Sequence, residues 1–250
     1  EFEDYTITVF EPVAPPPPPP PPPAPVMVAK LIVFLEGCYS PDDNLMTTIL
    51  NTQNLIPEAQ PFFREPWFYD GTEAVANPAA IPSNIVDWVL VEAFDPANLF
   101  TPVARKAAFL RNNGQIVDID GTTEGVNLPD LEENAAYIFT VRPRSHMAVM
   151  TRVALTMPSV NWYNFSESEF NAMGTNQQRA MPDGVFALYA GDFDHNGVIN
   201  YADANQYISE VNQTGQYLNA DANKDGRTLA EDYQLLRVNT GTMSISILRY

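Results

Sequence analysis

Aspartate and asparagine recur at alternate positions in two stretches near the end of the chain. The first stretch runs from Asp192 to Asp203, and the second runs from Asp221 to Asp232, 29 residues later. Ca²⁺ takes roughly six to eight oxygen ligands, and a loop of about twelve residues supplies them from positions 1, 3, 5, 7 and 12. Position 6 is glycine in both stretches, where such a loop must turn sharply. The predicted ligands are the side chains of Asp192, Asp194, Asn196 and Asp203 with the Val198 carbonyl, and the side chains of Asp221, Asn223, Asp225 and Asp232 with the Arg227 carbonyl.

The alternative is a pair of polar turns that bind no metal. Two tandem matches, each followed by an apolar segment with helical spacing, favour two Ca²⁺ sites over that alternative. We expect helices over 202–212 and 230–238, and we expect so small a unit to depend on its metal for folding. His195, at the variable fourth position, is predicted to be exposed and not to bind the ion. The residues predicted to form a small core between the helices are Tyr207, Ile208, Val211, Tyr233, Leu235 and Leu236.

The charge balance excludes some classes of partner. Acidic residues outnumber basic ones, 31 to 13, which gives a formal net charge of −18. This balance argues against nucleic acid and anionic membrane surfaces as partners. No stretch reaches the roughly 20 apolar residues of a transmembrane helix, so no membrane insertion is expected. The single cysteine, Cys38, permits no internal disulfide, and we expect it to be buried and inert.

Residues 27–160 have the pattern of short strands. The run at 84–95 is mostly apolar on both faces, which indicates a central strand, and Asn112-Asn113-Gly114 between two apolar runs predicts a hairpin. Leucine and isoleucine at helical spacing predict one short helix within 42–57. The predicted fold is therefore mainly β, an antiparallel β-sandwich over 27–160 with a small α-helical calcium-binding unit over 189–240. We expect 161–188 to connect the two and 241–250 to form a terminal strand.

The first residues predict a strand that is separated from the rest of the chain. Tyr5, Ile7 and Val9 alternate with Thr and Phe residues over 1–11, and this strand is followed by a linker at 12–26 that contains nine consecutive prolines. Such a run forms a polyproline II rod of roughly 28 Å. A lone strand is unstable in water, so we predict that it pairs with another molecule through Tyr5, Ile7, Val9 and Phe10. The alternative is that the strand belongs to an upstream domain and that the rod is an ordinary spacer.

Resemblance to known families adds further expectations. The paired loops with Asp203 and Asp232 at position 12, and a strand before the first loop, resemble a dockerin-type calcium module over 189–240. The stretches LEGCY at 35–39, LM at 45–46, IVDWVLVE at 85–92 and VRPRSHMAVMT at 141–151 resemble a β-rich region near the C-terminus of large secreted surface proteins of Bacteroidota. EFEDYT at 1–6 resembles the last strand of GEVED-type β-sandwich modules. These resemblances imply an extracellular or cell-surface location, and the first implies a cohesin-like partner.

The sequence predicts that the chain is not an enzyme. It contains no HExxH, GxSxG or phosphate-binding glycine loop. Cys38 and His146 could form a thiol–imidazole pair, but a structural role for His146 is favoured. No pair of carboxylates is singled out for glycoside hydrolysis.

Three functions fit this organisation. The favoured prediction is a structural subunit of an extracellular bacterial surface fibre, braced by calcium and assembled head-to-tail by insertion of the N-terminal strand into a neighbour. The second is a C-terminal stalk or attachment module of a large secreted adhesin or enzyme. The third is a dockerin-type docking module for a cohesin-like partner.

Overall fold

A computed structural model of the chain describes residues 2–3 and 26–250. The predicted assembly residues Tyr5, Ile7, Val9 and Phe10 lie outside the described residues, as does the proline run. The strands in the described part are β1 Val28–Ala29, β2 Leu31–Ile32, β3 Tyr39–Ser40, β4 Leu45–Met46, β5 Ile85–Phe94, β6 Ala104–Arg111, β7 Ile116–Val117, β8 Val126–Asn127, β9 Ala136–Pro143, β10 Val149–Met150, β11 Leu155–Thr156, β12 Tyr163–Asn164, β13 Arg179–Ala180 and β14 Phe186–Ala187. The α-helices are α1 Ile49–Thr52, α2 Tyr201–Glu210 and α3 Ala230–Asn239.

A six-stranded antiparallel sheet forms the centre of the molecule. The strands follow the order β10-β9-β5-β6-β7, and β11 pairs with β9 beyond β10. All ten residues of β5 are buried, which confirms the central strand predicted from its apolar pattern. The predicted hairpin is also present, because β6 pairs with β7 across the turn and Gly114 adopts a φ of 85° there.

The two faces of the sheet are covered differently. On one face, Val89 and Val91 pack in a buried cluster with Leu31 and Leu35 from the short strands at the start of the chain. On the other face, Trp88 belongs to a cluster with residues from the segment 50–81, and its indole N–H donates to Pro57 O at 2.9 Å. The prediction of a mainly β fold with antiparallel sheets is confirmed. The covering layers consist of short strands and loops that are pinned to the sheet by buried apolar side chains.

The segment after the sheet leads directly into the first candidate metal-binding loop. Residues 186–191 run between two parts of the β core: Leu188 bridges Leu35, and Ala190 bridges His146. Met147 N donates to Tyr189 O, and Gly191 N donates to Ser145 O, each at 2.9 Å. The segment 161–188 also contributes β12, β13 and β14, so it packs as part of the β core instead of only connecting two units.

The predicted terminal strand over 241–250 is wrong. The segment makes a single bridge, between Met243 and Val198, and then forms a 3₁₀ turn over Ser246–Leu248. Alternation of apolar residues predicted a strand, but no partner strand lies beside this segment in the described structure. Leu248 is instead buried in a cluster with Phe94, Ile138 and Met150. No helix among the described residues is long and apolar enough to span a membrane.

Candidate metal centre

The two helices of the C-terminal unit begin at the tenth position of each loop, so that the twelfth position lies in the first helical turn. The helices predicted over 202–212 and 230–238 lie at Tyr201–Glu210 and Ala230–Asn239. Asp203 and Asp232 occupy the third position of these helices, and each accepts a bond at 2.8 Å from a backbone N–H that precedes the helix, at Asn200 and Leu229. A carboxylate in this position satisfies a free amide and interacts favourably with the positive helix end.

The first loop brings three predicted ligands together. Carboxylate oxygens of Asp192, Asp194 and Asp203 all lie within 4.8 Å of one another. Asp203 Oδ1 accepts from the N–H groups of Phe193 and Asp194 at 2.7 and 3.2 Å, which ties the end of the loop to its beginning. Gly197 N donates to both oxygens of Asp192, at 3.1 and 3.2 Å. The loop is therefore closed by its own carboxylates around a small space lined by oxygen.

The second loop repeats these hydrogen bonds at equivalent positions. Asp232 Oδ1 accepts from Ala222 N and Asn223 N at 2.8 and 3.2 Å, as Asp203 does in the first loop. Gly226 N donates to Asp221 Oδ2 at 3.0 Å, as Gly197 does to Asp192. The same twelve-residue arrangement thus occurs twice in this unit.

The remaining predicted ligands shape the loops through turns. In the first loop, Asn196 Nδ2 donates to Asp194 Oδ2 at 2.8 Å, and Val198 N donates to Asn196 Oδ1 at 2.7 Å. In the second loop, Asp225 N donates to Asn223 Oδ1 at 3.1 Å, and Arg227 N donates to Asp225 Oδ1 at 2.9 Å. These turns fix the course of both loops, whereas a group of three carboxylates within 4.8 Å of one another is found among the described residues in the first loop alone.

Positive backbone angles produce the sharp turns. Gly197 and Gly226 have φ values of 80° and 79°, and the residues at position 4, His195 and Lys224, have φ values of 63° and 60°. A non-glycine residue rarely adopts such an angle, so His195 and Lys224 must be held in the left-handed region by the contacts of their loops.

The electrostatics of the first loop fit a bound cation. Burial raises the pKa of Asp203 to about 6, and burial together with the charge of Asp203 raises the pKa of Asp192 well above its usual range. None of the ion pairs found within 26–250 includes Asp192, Asp194 or Asp203. Buried carboxylates that lie close together without a basic partner are unfavourable as anions unless a proton or a metal cation neutralises them. Hard oxygen ligands of this kind suit Ca²⁺.

The carboxyl groups of the second loop also have raised pKa values. Burial raises the pKa of Asp221 to about 6, although the charges of Lys224 and Arg144 lower it. Burial also raises the pKa of Asp232. The two loops therefore share the hydrogen bonds to the position 12 carboxylate and the direction of their pKa shifts, but only the second loop has the charge of a lysine close to its first aspartate.

The prediction that His195 is exposed is wrong. Only 7% of its surface is accessible, and its ring lies over Trp67 with 4.2 Å between ring centroids. The positive φ at position 4 turns the side chain toward the β core instead of toward solvent. Loop residues that lie next to a second layer are buried by that layer, which a motif in the sequence does not reveal.

Lys224 occupies position 4 of the second loop, as His195 does in the first loop, and its side chain extends into the β core. Its Nζ donates to Arg144 O, Ser145 Oγ and Asp221 O at 3.1, 2.7 and 3.1 Å. The same Nζ lies 3.3 Å from Asp87 Oδ2 on β5, and the lysine side chain has no accessible surface.

Asp87 is the centre of this buried polar network. Arg144 Nη2 donates to Asp87 Oδ2 at 3.1 Å, and Tyr217 OH donates to Asp87 Oδ1 at 2.5 Å. The Arg144 guanidinium stacks on the Tyr217 ring at 3.7 Å. Motif reasoning missed these residues, but one signal was available: Asp87 is a charged residue inside the otherwise apolar IVDWVLV run.

A second buried contact joins the helical unit to the β core. Glu36 Oε2 accepts from Ala190 N at 3.1 Å and from Asn239 Nδ2 at the end of α3. Cys38 Sγ lies 3.4 Å from Ala222 O in the second loop. His146 contacts Glu36 O through Nε2 at 2.7 Å, and burial lowers the pKa of this imidazole to about 3. Cys38 and His146 therefore both bond to backbone carbonyls, an arrangement that gives no support to a thiol–imidazole pair.

The core of the helical unit is only partly the one predicted. Leu236 is buried and Tyr207 and Leu235 pack against it, in a cluster that includes Phe193 and Ile199 from the first loop. Ile208 and Tyr233 were also predicted to lie in this core, which is wrong because their surfaces are 66% and 41% exposed. The unit packs on the β core through Met147 and Tyr189, so the predicted core between the helices is shared with residues before the loops.

Comparison with known proteins adds little to this geometry. No protein-family model matches the chain, and no curated protein matches it either. Among solved structures, a C-terminal interface mutant of a type II cohesin–X–dockerin complex from Acetivibrio cellulolyticus is similar with a TM-score of 0.40, 12% identity and coverage of 87% of this chain and 97% of that chain. An N-terminal interface mutant of the type II complex from the same organism has a TM-score of 0.34, 15% identity and coverage of 62% and 82%. TM-scores below 0.5 do not establish a common fold.

Proposed function

We propose that this chain is a non-enzymatic structural subunit of an extracellular bacterial surface fibre, in which two Ca²⁺ ions brace the C-terminal unit against the β core. The observation that best supports a structural role is the insertion of Lys224 into the β core, where its Nζ lies 3.3 Å from Asp87 Oδ2. A docking module that works on a flexible tether has no need of such a contact. A subunit that transmits force between neighbours needs its parts to be joined in this way.

Calcium would fix the loop that carries Lys224. The metal would be held by the side chains at positions 1, 3, 5 and 12 of each loop, with the position 7 carbonyls of Val198 and Arg227. Neutralising Asp221 and Asp232 lets the second loop close, and loop closure delivers Lys224 to Asp87. Calcium loops of extracellular modules bind with dissociation constants of about 10⁻⁴ to 10⁻³ M, which suits a protein outside the cell.

Assembly would use the N-terminal strand. The period-2 pattern of Tyr5, Ile7 and Val9 suits insertion beside an edge strand of a neighbouring copy, and the proline run would set the distance between subunits. Such a contact joins two different surfaces, so it extends into a filament instead of closing into a dimer.

Electron microscopy of the full chain and of two paired variants tests this proposal. We expect regular fibres from the wild-type chain in Ca²⁺. Ile7→Lys with Val9→Lys should give monomers, because both charges fall on the face that would be buried. Thr6→Lys with Thr8→Lys is the matched control on the opposite face and should retain more assembly. Equal assembly by both variants would refute strand insertion, and wild-type chains that remain monomeric under all conditions would favour the stalk or attachment module instead.

Docking to a cohesin-like partner is a second candidate, favoured by one specific observation. Four apolar or aromatic side chains on α2 and α3 are exposed within residues 26–250: Tyr201, Ile208, Tyr233 and Val238. Exposed apolar side chains that cluster on one surface mark binding sites in many proteins. Capture of a purified cohesin by the calcium-loaded chain, and loss of capture in Ile208→Asp, would support this candidate. Failure of the cohesin to bind would remove it.

A further inference from the structure

A cavity of about 400 Å³ lies between the segment 57–67 and the C-terminal unit. We call it the aromatic cavity. Its volume lies within the range of about 300–1,000 Å³ that is usual for ligand sites. Its wall includes Phe63, Arg64, Glu65, Trp67, Arg144 and Tyr217.

The wall of the aromatic cavity contains hydrogen-bond donors that have no partner, two of them on the Arg144 guanidinium, which is buried against the Tyr217 ring. Arg144 is 2% exposed, and its Nε and Nη1 atoms make no hydrogen bond in the described structure. Trp88 donates its indole N–H to Pro57 O, but no such bond is found for the Trp67 indole N–H within 26–250. Arg64 adds a second guanidinium, which lies over the Phe63 ring at 5.0 Å. A ligand suited to this wall would supply acceptors and a flat apolar surface, and it would need few donors of its own.

We propose that the aromatic cavity receives a polyproline II segment from a second copy of this chain, namely the run Pro15–Pro23. Proline has a backbone carbonyl to accept a hydrogen bond but no backbone N–H to donate one. Its ring packs on aromatic faces, and proline-rich segments dock in aromatic-lined grooves for this reason. The wall supplies three aromatic side chains and unpartnered donors, which is the complement of such a segment.

Charge favours the same occupant. The part of the chain before Lys30 contains four acidic residues, Glu1, Glu3, Asp4 and Glu11, and no basic residue. The wall of the aromatic cavity holds Arg64, Arg144 and one carboxylate, Glu65, and Arg144 is paired with Asp87, so this wall is less acidic than the chain as a whole, whose net charge is −18. An acidic segment would therefore be attracted to this cavity more than to most of the surface. This inference rests on the proposed head-to-tail assembly and adds a second contact to it: the strand would enter one surface while the rod lies against another.

Photo-crosslinking of the full chain tests the proposal. Phe63 is 56% exposed, so a photo-crosslinker can be placed there. It is replaced by p-benzoylphenylalanine in a chain labelled with ¹⁵N. The labelled chain is mixed in Ca²⁺ with an equal amount of unlabelled wild-type chain. Trypsin releases residues 1–30 as one peptide, because Lys30 is the first basic residue. We expect a crosslink from position 63 of labelled chains to the proline run in the 1–30 peptide of unlabelled chains. The same photo-crosslinker at Phe170, which is 68% exposed and outside the aromatic cavity, is the matched control and should give little of this product.

A second variant tests the donor argument. Trp67→Phe keeps an aromatic ring but removes the N–H, and we expect the crosslink yield to fall several-fold while the melting temperature in Ca²⁺ shows that the chain remains folded. Crosslinks confined to a single chain, or absent from the 1–30 peptide, would overturn the proposal. Fibres seen by microscopy without this crosslink would overturn the rod contact alone and leave the strand-insertion proposal standing.

Discussion

Lys224 Nζ lies 3.3 Å from Asp87 Oδ2, and both side chains are almost entirely inaccessible, at 0% and 2% exposure. Lys224 belongs to the second candidate calcium loop, whereas Asp87 belongs to the central strand β5. One ion pair therefore joins the candidate metal-binding region to a strand whose ten residues are all buried. Its geometry makes the stability of the β core and the closure of the loop depend on each other.

Asp87→Asn should destabilise the chain strongly. It leaves Arg144 and Lys224 buried with no carboxylate, and breaking a buried ion pair on one side costs about 3–5 kcal/mol of unfolding free energy. Urea unfolding in Ca²⁺ measures the loss. Asp130→Asn removes an exposed carboxylate and should change the unfolding free energy by about 0.5 kcal/mol or less. Similar losses in the two variants would show that the network is not a stabilising contact.

The ion pairs of Asp87 also predict how the stability of the fold depends on pH. Burial raises the pKa of Asp87, but the charges of Arg144 and Lys224 outweigh burial, so the pKa lies below its ordinary value. A carboxyl whose pKa is lowered by folding stabilises the folded state above its unfolded pKa of about 3.9 and loses this effect as the pH falls toward the folded pKa. The difference in unfolding free energy between wild type and Asp87→Asn should stay constant from about pH 5 to pH 8 and shrink below about pH 4. A difference that grew on acidification would contradict this assignment.

Removal of calcium should lower the melting temperature of the chain, because the second loop carries Lys224, which pairs with Asp87 in the β core. Calorimetric titration of the wild-type chain should show that two Ca²⁺ ions bind to each chain. Asp232→Ala should bind one ion, since it loses the position 12 carboxylate of one loop. Asp42→Ala, at an exposed aspartate far from both loops in sequence, is the control and should still bind two ions. A melt that EGTA does not change would rule out a structural role for the metal.

The loops and the central strand could be predicted from sequence because local rules determine them. Alternating oxygen ligands around Gly197 and Gly226 predict the loop, and continuous apolar character in β5 predicts burial on both faces. The burial of His195 and Lys224 could not be predicted in this way, since it depends on which layer lies beside the loop. The prediction of a terminal strand was wrong for a similar reason. Met243 lies in a segment with the alternating pattern of a strand, but it has one bridge partner and no strand beside it in the described structure.

Alanine at the sixth position of the first loop should weaken both stability and calcium binding. Gly197 has a φ of 80°, and an added Cβ would meet Ser244 Oγ and Arg249. Gly184 has a φ of 86° but no atom within 4 Å of an added Cβ, so Gly184→Ala measures the backbone cost alone, about 1–2 kcal/mol. Gly197→Ala should lose more unfolding free energy than this control and should bind Ca²⁺ more weakly, because the turn that aims Asp192 and Asp194 is disturbed. Thermal melts and calorimetric titrations of the two variants give the comparison, and equal behaviour would show that crowding at Gly197 plays no part in the loop.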